Sequence, residues 1–223
     1  MHSNEEIQAM RRNYNSDSLD ETTADVSPFA QFEKWFSQAR EAQLLEPNAM
    51  IVATIDENNC PMTRTVLLKG FDENGFVFYT NFHSRKAQHL ENNPNIALQF
   101  LWLPLERQVM ITGRAEKLST KESLSYFLSR PKGSQIGAWV SQQSQIISNK
   151  SLLLAQFEKM KEKFKHGDVP LPDFWGGYRV VPERFEFWQG GENRLHDRLE
   201  YTLDTQNKTT DDAPSWVRHR LSP

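Results

Sequence analysis

Three cations occupy alternate positions near the end of the chain. In GGENRLHDRLEY (190–201) they are Arg194, His196 and Arg198. A β-strand points successive side chains to opposite faces, so this spacing predicts one face with two guanidiniums, an imidazole and no acid. Such a face repels itself unless an anionic or electron-rich group lies against it. Asp197, one position out of phase, is expected on the other side as a structural partner. Other cations cluster with hydroxyls. In MTRTVLLKG, Arg64 and Lys69 are five apart, which in a regular strand directs them to opposite faces and could serve two different anions. In YTNFHSRKAQ, residues Thr80, Ser84, Arg85 and Lys86 gather where a strand gives way to a helix. The free N–H groups and positive dipole end of a helix N-terminus suit a phosphate there. In SYFLSRPKGSQ, Tyr126 and Arg130 are four apart and share a helix face, with Ser134 just beyond the turn, a second phosphate cradle. The amides of SQQS (141–144) could bind the edge of a heterocycle or cap a helix. Taken singly, each cluster also fits an ordinary capped helix or surface contact with solvated charges.

Other chemistries lack their residues. The six histidines show no HExxH or paired ligand spacing, so no metal is expected. There is no GxSxG nucleophile, no GxGxxG and no phosphate-loop GxxxxGK[ST]. Several anion sites without a nucleophile fit a protein that positions a cofactor and lets it do the chemistry. A formal net charge of −3 argues against a general nucleic-acid binder. Cys60 is the single cysteine, so no intrachain disulfide can form, and it reads as structural in an NNCP turn. No stretch approaches the roughly 20 apolar residues of a membrane span. The opening MHSNEEIQAM has no apolar run of a secretory signal, and the cytoplasm is the expected location.

The elements that must carry these residues follow from pattern. Residues 1–26 are polar and read as a mobile arm, followed by one domain over 27–223. Ser27-Pro28 predicts a capped helix over about 28–45 with Phe29, Phe32, Phe36 and Ala39 at helical spacing. Strands are predicted at 49–56, 62–72, 76–81, 95–102 and 107–118, with a short helix capped by Ser84. Ser119 to Glu122 fits a capping box for a helix to Arg130; Ser134–Gln143 is a second helix, and Ser148 can cap a third. HGDVPLPDFWGGY (166–178) reads as an ordered loop, and RFEFWQ with RLHDRLEY as a hairpin. Six or seven antiparallel strands interrupted by helices predict a barrel or curved sheet with helices outside, an α+β architecture that is mainly β.

RTVLLK (64–69), YTNFHSRKAQ (79–88), SYFLSRPKGSQIGAWVSQQS (125–144), FWGGYRV (174–180), FEFWQGGENRLHDR (185–198) and the closing RLSP together resemble the pyridoxamine (pyridoxine) 5′-phosphate oxidase family, in order, over most of 11–223. The resemblance implies an antiparallel FMN-binding split β-barrel, homodimeric, with flavin at the subunit interface. It implies FMN contacts from Arg64, Val66, Leu67, Lys69, Tyr79, Thr80, Arg85, Lys86, Gln108, Gln143, Ser144, Trp188 and Arg198. It assigns the substrate phosphate to Lys69, Tyr126, Arg130 and Ser134, and the pyridine ring to Arg194 and His196, the implied catalytic pair. RRNY (11–14) resembles a segment that folds over bound substrate, which brings Arg11 and Tyr14 into the substrate set. The implied reaction is oxidation of pyridoxamine or pyridoxine 5′-phosphate by O2. The competing reading is a non-catalytic flavin- or pyridoxal-phosphate-binding protein on the same fold.

Overall fold

The computed structural model describes residues 3–10, 12–14, 17–204 and 215–223. Arg11, and 205–214 of the polar loop, lie outside the described residues. Among the described residues there are six α-helices: α1 (Asn4–Ala9), α2 (Pro28–Glu41), α3 (Arg85–Asn92), α4 (Thr120–Ser129), α5 (Lys132–Val140) and α6 (Lys150–Lys163). Nine strands accompany them: β1 (Ala49–Ile55), β2 (Pro61–Leu67), β3 (Gly70–Asp72), β4 (Gly75–Asn81), β5 (Asn95–Trp102), β6 (Arg107–Lys117), β7 (Trp175–Gln189), β8 (Asp197–Leu203) and β9 (Trp216–Arg220). Strands pair in the order β2-β1-β5-β6-β7-β4-β3, with β8 on β7 and β9 on β8. β7 is long enough to pair antiparallel twice, through 175–180 with β4 and through 184–189 with β8. An antiparallel sheet with helices is the expected class.

The described residues cluster in two compact units. The first takes 1–50, 98–111 and 183–223. Here α2 starts at its Ser27 cap, as expected, but stops at Glu41, where Gln43 turns left-handed at φ 53°. Its apolar stripe buries Phe32 and Trp35, with Phe32 5.0 Å from Phe100 and Trp35 edge-on to Phe187 at 5.4 Å. Within the stretch read as an arm, Leu19 is buried and its N–H donates to Asp197. Arg218 donates to the carbonyls of Glu21, Ala24 and Asp25, and Arg220 pairs with both Glu21 and Asp197. The hydrogen bonds from Arg220 pull the exposed Glu21 carboxyl down to about 2.

The second unit takes 51–97 and 112–182. Its strand β4 is buried along nearly its whole length, with Phe78 stacked on Tyr178 at 5.7 Å. Phe127, Ile136, Val140, Phe164 and Trp175 form a second core cluster. α4 carries the predicted capping box, both halves made. α6 is capped by Asn149, one residue after the expected Ser148, because the Asn149 side chain accepts from the Leu152 N–H. α5 begins after Pro131 and ends at Val140, short of Gln143. The predicted 62–72 strand is split: β2 ends at Leu67, and the Lys69 N–H turns to the Val77 carbonyl as β3 begins.

Candidate functional site

The second unit holds a cavity of about 480 Å³ lined by Arg64, Thr65, Val66, Leu67, Lys69, Tyr79, Thr80, Lys86, Tyr126, Arg130, Gln143 and Trp175. Among the described residues four cations line it and no acid does. The break after β2 is what brings Lys69 to the cavity beside Arg64, so the expectation of opposite faces fails: it assumed a regular strand that stops at Leu67. Arg64 Nη1 donates to Thr54 Oγ1 (2.6 Å) and to the Val52 carbonyl (3.3 Å). Thr54 Oγ1 is also 3.0 Å from His89 Nδ1, which holds this buried hydroxyl from its far side.

Lys86 projects from the first turn of α3. Its Nζ donates to Thr80 Oγ1 (2.9 Å), Ser84 Oγ (3.4 Å) and Gln143 Oε1 (3.4 Å), all neutral acceptors. Ser84 sits at the N-cap position of α3, where its side chain makes no cap bond and its carbonyl accepts from the Ala87 and Gln88 N–H groups. Burial, and then the nearby Arg64 charge, lower the Lys86 ammonium to about 8. Arg85 N–H donates to Ser144 Oγ, and Ser144 is held left-handed at φ 70°.

Tyr79, Tyr126 and Trp175 lie nearly parallel. Tyr79 is 4.0 Å from Tyr126 and 5.3 Å from Trp175, centroid to centroid. Arg130 follows α4, with its guanidinium 4.7 Å over the Trp175 ring. Its Nη1 is buried without a hydrogen-bond partner among the described residues. A desolvated donor beside unpaired cations suits a dianionic phosphate monoester, whose oxygens accept several charge-assisted bonds at once. The parallel rings suit a flat heterocycle. On donor chemistry, the residues fit a phosphorylated, planar cofactor or substrate.

The first unit holds Tyr14, Gln108, Trp188, Arg194, His196 and Arg198. Here the alternation argument fails for Arg194. β8 begins at Asp197, and Arg194 lies in a 3-10 turn, exposed, with Asn193 at φ 54° and Arg194 at φ 65°. The turn is possible because Gly191 passes so close to the Leu195 carbonyl that a Cβ would sit 2.3 Å from its oxygen. His196 Nδ1 accepts from the Gly191 N–H at 3.1 Å, so a neutral imidazole carries its proton on Nε2. The His196 ring is 4.7 Å from Trp188, and Tyr14 stands edge-on to both at 5.8 Å. Trp188 and Arg198 are direct cross-strand partners. The expectation of an acid-free face fails for Arg198: its Nε donates to Glu186 at 2.8 Å, and its Nη1 to the Ser222 carbonyl. Gln108 accepts from Gln99 at 2.8 Å.

The structure thus gathers Arg64, Val66, Leu67, Lys69, Tyr79, Thr80, Lys86, Tyr126, Arg130 and Gln143 around one cavity. Arg85 and Ser144 bond each other, and Ser134 is exposed in the first turn of α5; none of the three lines that cavity. Tyr14, Gln108, Trp188, Arg194, His196 and Arg198 belong to the first unit. Sequence reasoning missed Thr65, Trp175 and Glu186. Trp175 stood in FWGGY, read as loop; the period-2 pattern that would have revealed a strand is hidden by two glycines.

Residues 36–164 match the family model described as pyridoxamine 5′-phosphate oxidase, and 175–223 the model described as pyridoxine 5′-phosphate oxidase C-terminal dimerisation region. A protein of Hydrogenovibrio crunogenus named pyridoxine/pyridoxamine 5′-phosphate oxidase 2 is 59% identical over 96% of this chain and 97% of its own. Proteins named pyridoxine/pyridoxamine 5′-phosphate oxidase from Crocosphaera subtropica (59% identical, 98% of this chain, 100% of that one) and an Enterobacter species (54%, 100% of both) are similar throughout. Among solved structures, PhzG from Burkholderia lata, in complex with tetrahydrophenazine-1-carboxylic acid, aligns with a TM-score of 0.84 at 25% identity, covering 94% of this chain and 100% of that one. A pyridoxamine 5′-phosphate oxidase-related, FMN-binding protein from Nostoc punctiforme aligns at 0.71 with 14% identity, over 89% of this chain and 100% of that one, a likeness of fold.

Proposed function

The chain belongs to the pyridoxamine 5′-phosphate oxidase family, and from that premise we propose that it oxidises pyridoxamine 5′-phosphate or pyridoxine 5′-phosphate to pyridoxal 5′-phosphate. O2 is the final acceptor, H2O2 is released, and the amine substrate also yields NH3. The observation that carries this reading is the acid-free cavity with four cations, a buried unpaired Arg130 Nη1 and parallel aromatic rings.

FMN, when bound, supplies the two-electron acceptor. Arg64, Lys69, Thr80, Arg85, Lys86, Gln143 and Ser144 would hold it, with Val66, Leu67 and Tyr79 against its rings and Gln108, Trp188 and Arg198 completing its surroundings. Lys69, Tyr126, Arg130 and Ser134 would grip the substrate phosphate. That grip is remote from the reacting carbon, so its binding energy serves to orient the pyridine ring. Arg194, exposed on its left-handed turn, would cover that ring. His196, its Nδ1 occupied by Gly191, would present an Nε2–H donor to a ring substituent. Arg11 and Tyr14 would close over the substrate; Tyr14 already meets His196 and Trp188 edge-on.

The C-terminal dimerisation match supports a homodimer, and we place FMN at its interface, since Trp188, Arg194, His196 and Arg198 all fall in that matched stretch. No helix among the described residues is long and apolar enough to cross a membrane. As a separate part of this reading, we propose the cytoplasm as the place of the reaction. The test is an absorbance spectrum of the purified protein before and after pyridoxamine 5′-phosphate is added without oxygen. Bleaching of the flavin band that returns with air is expected; a bound flavin that never bleaches with either substrate overturns the reading.

A further inference from the structure

We propose that Trp175 is a positioning residue for the phosphate grip: its indole face sets the plane of the Arg130 guanidinium and with it the affinity for the phosphate of the substrate. The proposal rests on the assignment of Arg130 to that phosphate. The main chain of Arg130 is fixed at both polar groups. Its N–H donates to the Phe127 carbonyl, and its own carbonyl accepts from Gln135 Nε2 at 2.9 Å. Pro131 follows, which suits the extended conformation of Arg130 as the C-cap of α4. What remains free is the side chain, which carries several soft torsions. No acid of the cavity lining is there to orient it.

Trp175 lies beneath it instead. The guanidinium carbon is 4.7 Å from the indole centroid and 5.7 Å from the Phe127 ring. Stacking over an aromatic face fixes a guanidinium plane without using any N–H, so the edge stays free for a bidentate anion. An acidic partner would orient Arg130 equally well but would occupy that edge and repel a phosphate. Trp175 is itself held. It is the first residue of β7, it lies opposite Asn81, and it is 6% exposed. Its ring is parallel to Tyr79 and, at 6.3 Å, to Tyr126, another residue of the proposed grip. One indole thus sets Arg130 and backs the tyrosine pair.

Trp175 also packs in the core cluster, so the test must separate positioning from filling. Trp175→Leu and Trp175→Phe are compared with wild type in the FMN-loaded dimer, alone and combined with Arg130→Ala. Trp175→Leu is expected to raise KM for pyridoxamine 5′-phosphate about tenfold with kcat within about twofold, and Trp175→Phe to recover most of the loss. In the Arg130→Ala background, where KM is already high, Trp175→Leu should change KM less than about twofold. Equal KM for Trp175→Leu and wild type overturns the proposal, as does an effect that persists undiminished without Arg130. If Trp175→Leu does not fold, Trp175→Phe carries the same cycle: its smaller rise must vanish in the Arg130→Ala background, and additivity there overturns the assignment. A wild type that neither binds nor oxidises the phosphate ester would instead remove the functional reading on which the proposal stands.

Discussion

Lys86 is the side chain whose charge the fold perturbs most clearly at the cavity. Its partners are all uncharged, burial disfavours the ammonium, and Arg64 adds to that. With its folded pKa lowered to about 8, the ligand-free protein bears the full burial penalty below that pH. Above it the folded state loses the proton first, so stability rises with pH from about 8 towards the ordinary lysine range. A bound phosphate reverses the balance by favouring the charged form. Binding of FMN to the apoprotein slightly above pH 8 should therefore take up a proton. Titration calorimetry in two buffers of different ionisation enthalpy measures this directly. Lys86→Met should abolish the uptake, and its persistence in that variant would show that another group is responsible.

At the scale of elements, two strand ends do the positioning. The early end of β2 at Leu67 turns Lys69 towards the cavity, and the early start of β7 at Trp175 puts WGGY into the sheet. Tyr79 on β4 lies opposite Gly177 on β7. A Cβ on Gly177 would come within 2.8 Å of the Tyr79 ring and 2.6 Å of Leu118. The glycine is thus what lets the tyrosine lie down against the strand, its ring parallel to those of Tyr126 and Trp175. Gly177→Ala should cost ~1–3 kcal/mol as overpacking, visible as a lower melting temperature. Because the ring must move, FMN affinity should fall as well; a variant with wild-type stability and FMN binding would refute this account of β4 and β7. The turn before β8 is the third such element. Period-2 spacing could not foresee it, because Asn193 and Arg194 adopt left-handed conformations that residues other than glycine seldom take.

For the whole molecule the question is how many chains make one site. The two family matches divide the residues proposed for the site. The stretch 36–164 carries Arg64 to Ser144, and the dimerisation stretch 175–223 carries Trp188, Arg194, His196 and Arg198. If FMN lies at the dimer interface, release of flavin and separation of subunits are one event. Dilution followed by sedimentation and by flavin fluorescence should give superimposable transitions. Full FMN occupancy on a monomer would contradict the interface assignment.

Chemistry and class were legible in the sequence. Clusters such as Thr80-Ser84-Arg85-Lys86 and Tyr126-Arg130 are local in the chain, so their residue types and spacing suffice to propose an anion site, and the family resemblance singled that reading out over an ordinary capped helix. Caps at Ser27 and Ser119 and the alternation of β1 and β5 are local as well. Motif order sufficed for the family. What tertiary structure alone decided depends on partners distant in sequence. Arg198 finds Glu186 across a hairpin, Asp197 finds Leu19 and Arg220, and Arg130 finds Trp175. The tertiary structure also decided that Lys69 and Arg64 line one cavity rather than two faces, because where a strand stops is set by the neighbour it pairs with and not by its own side chains.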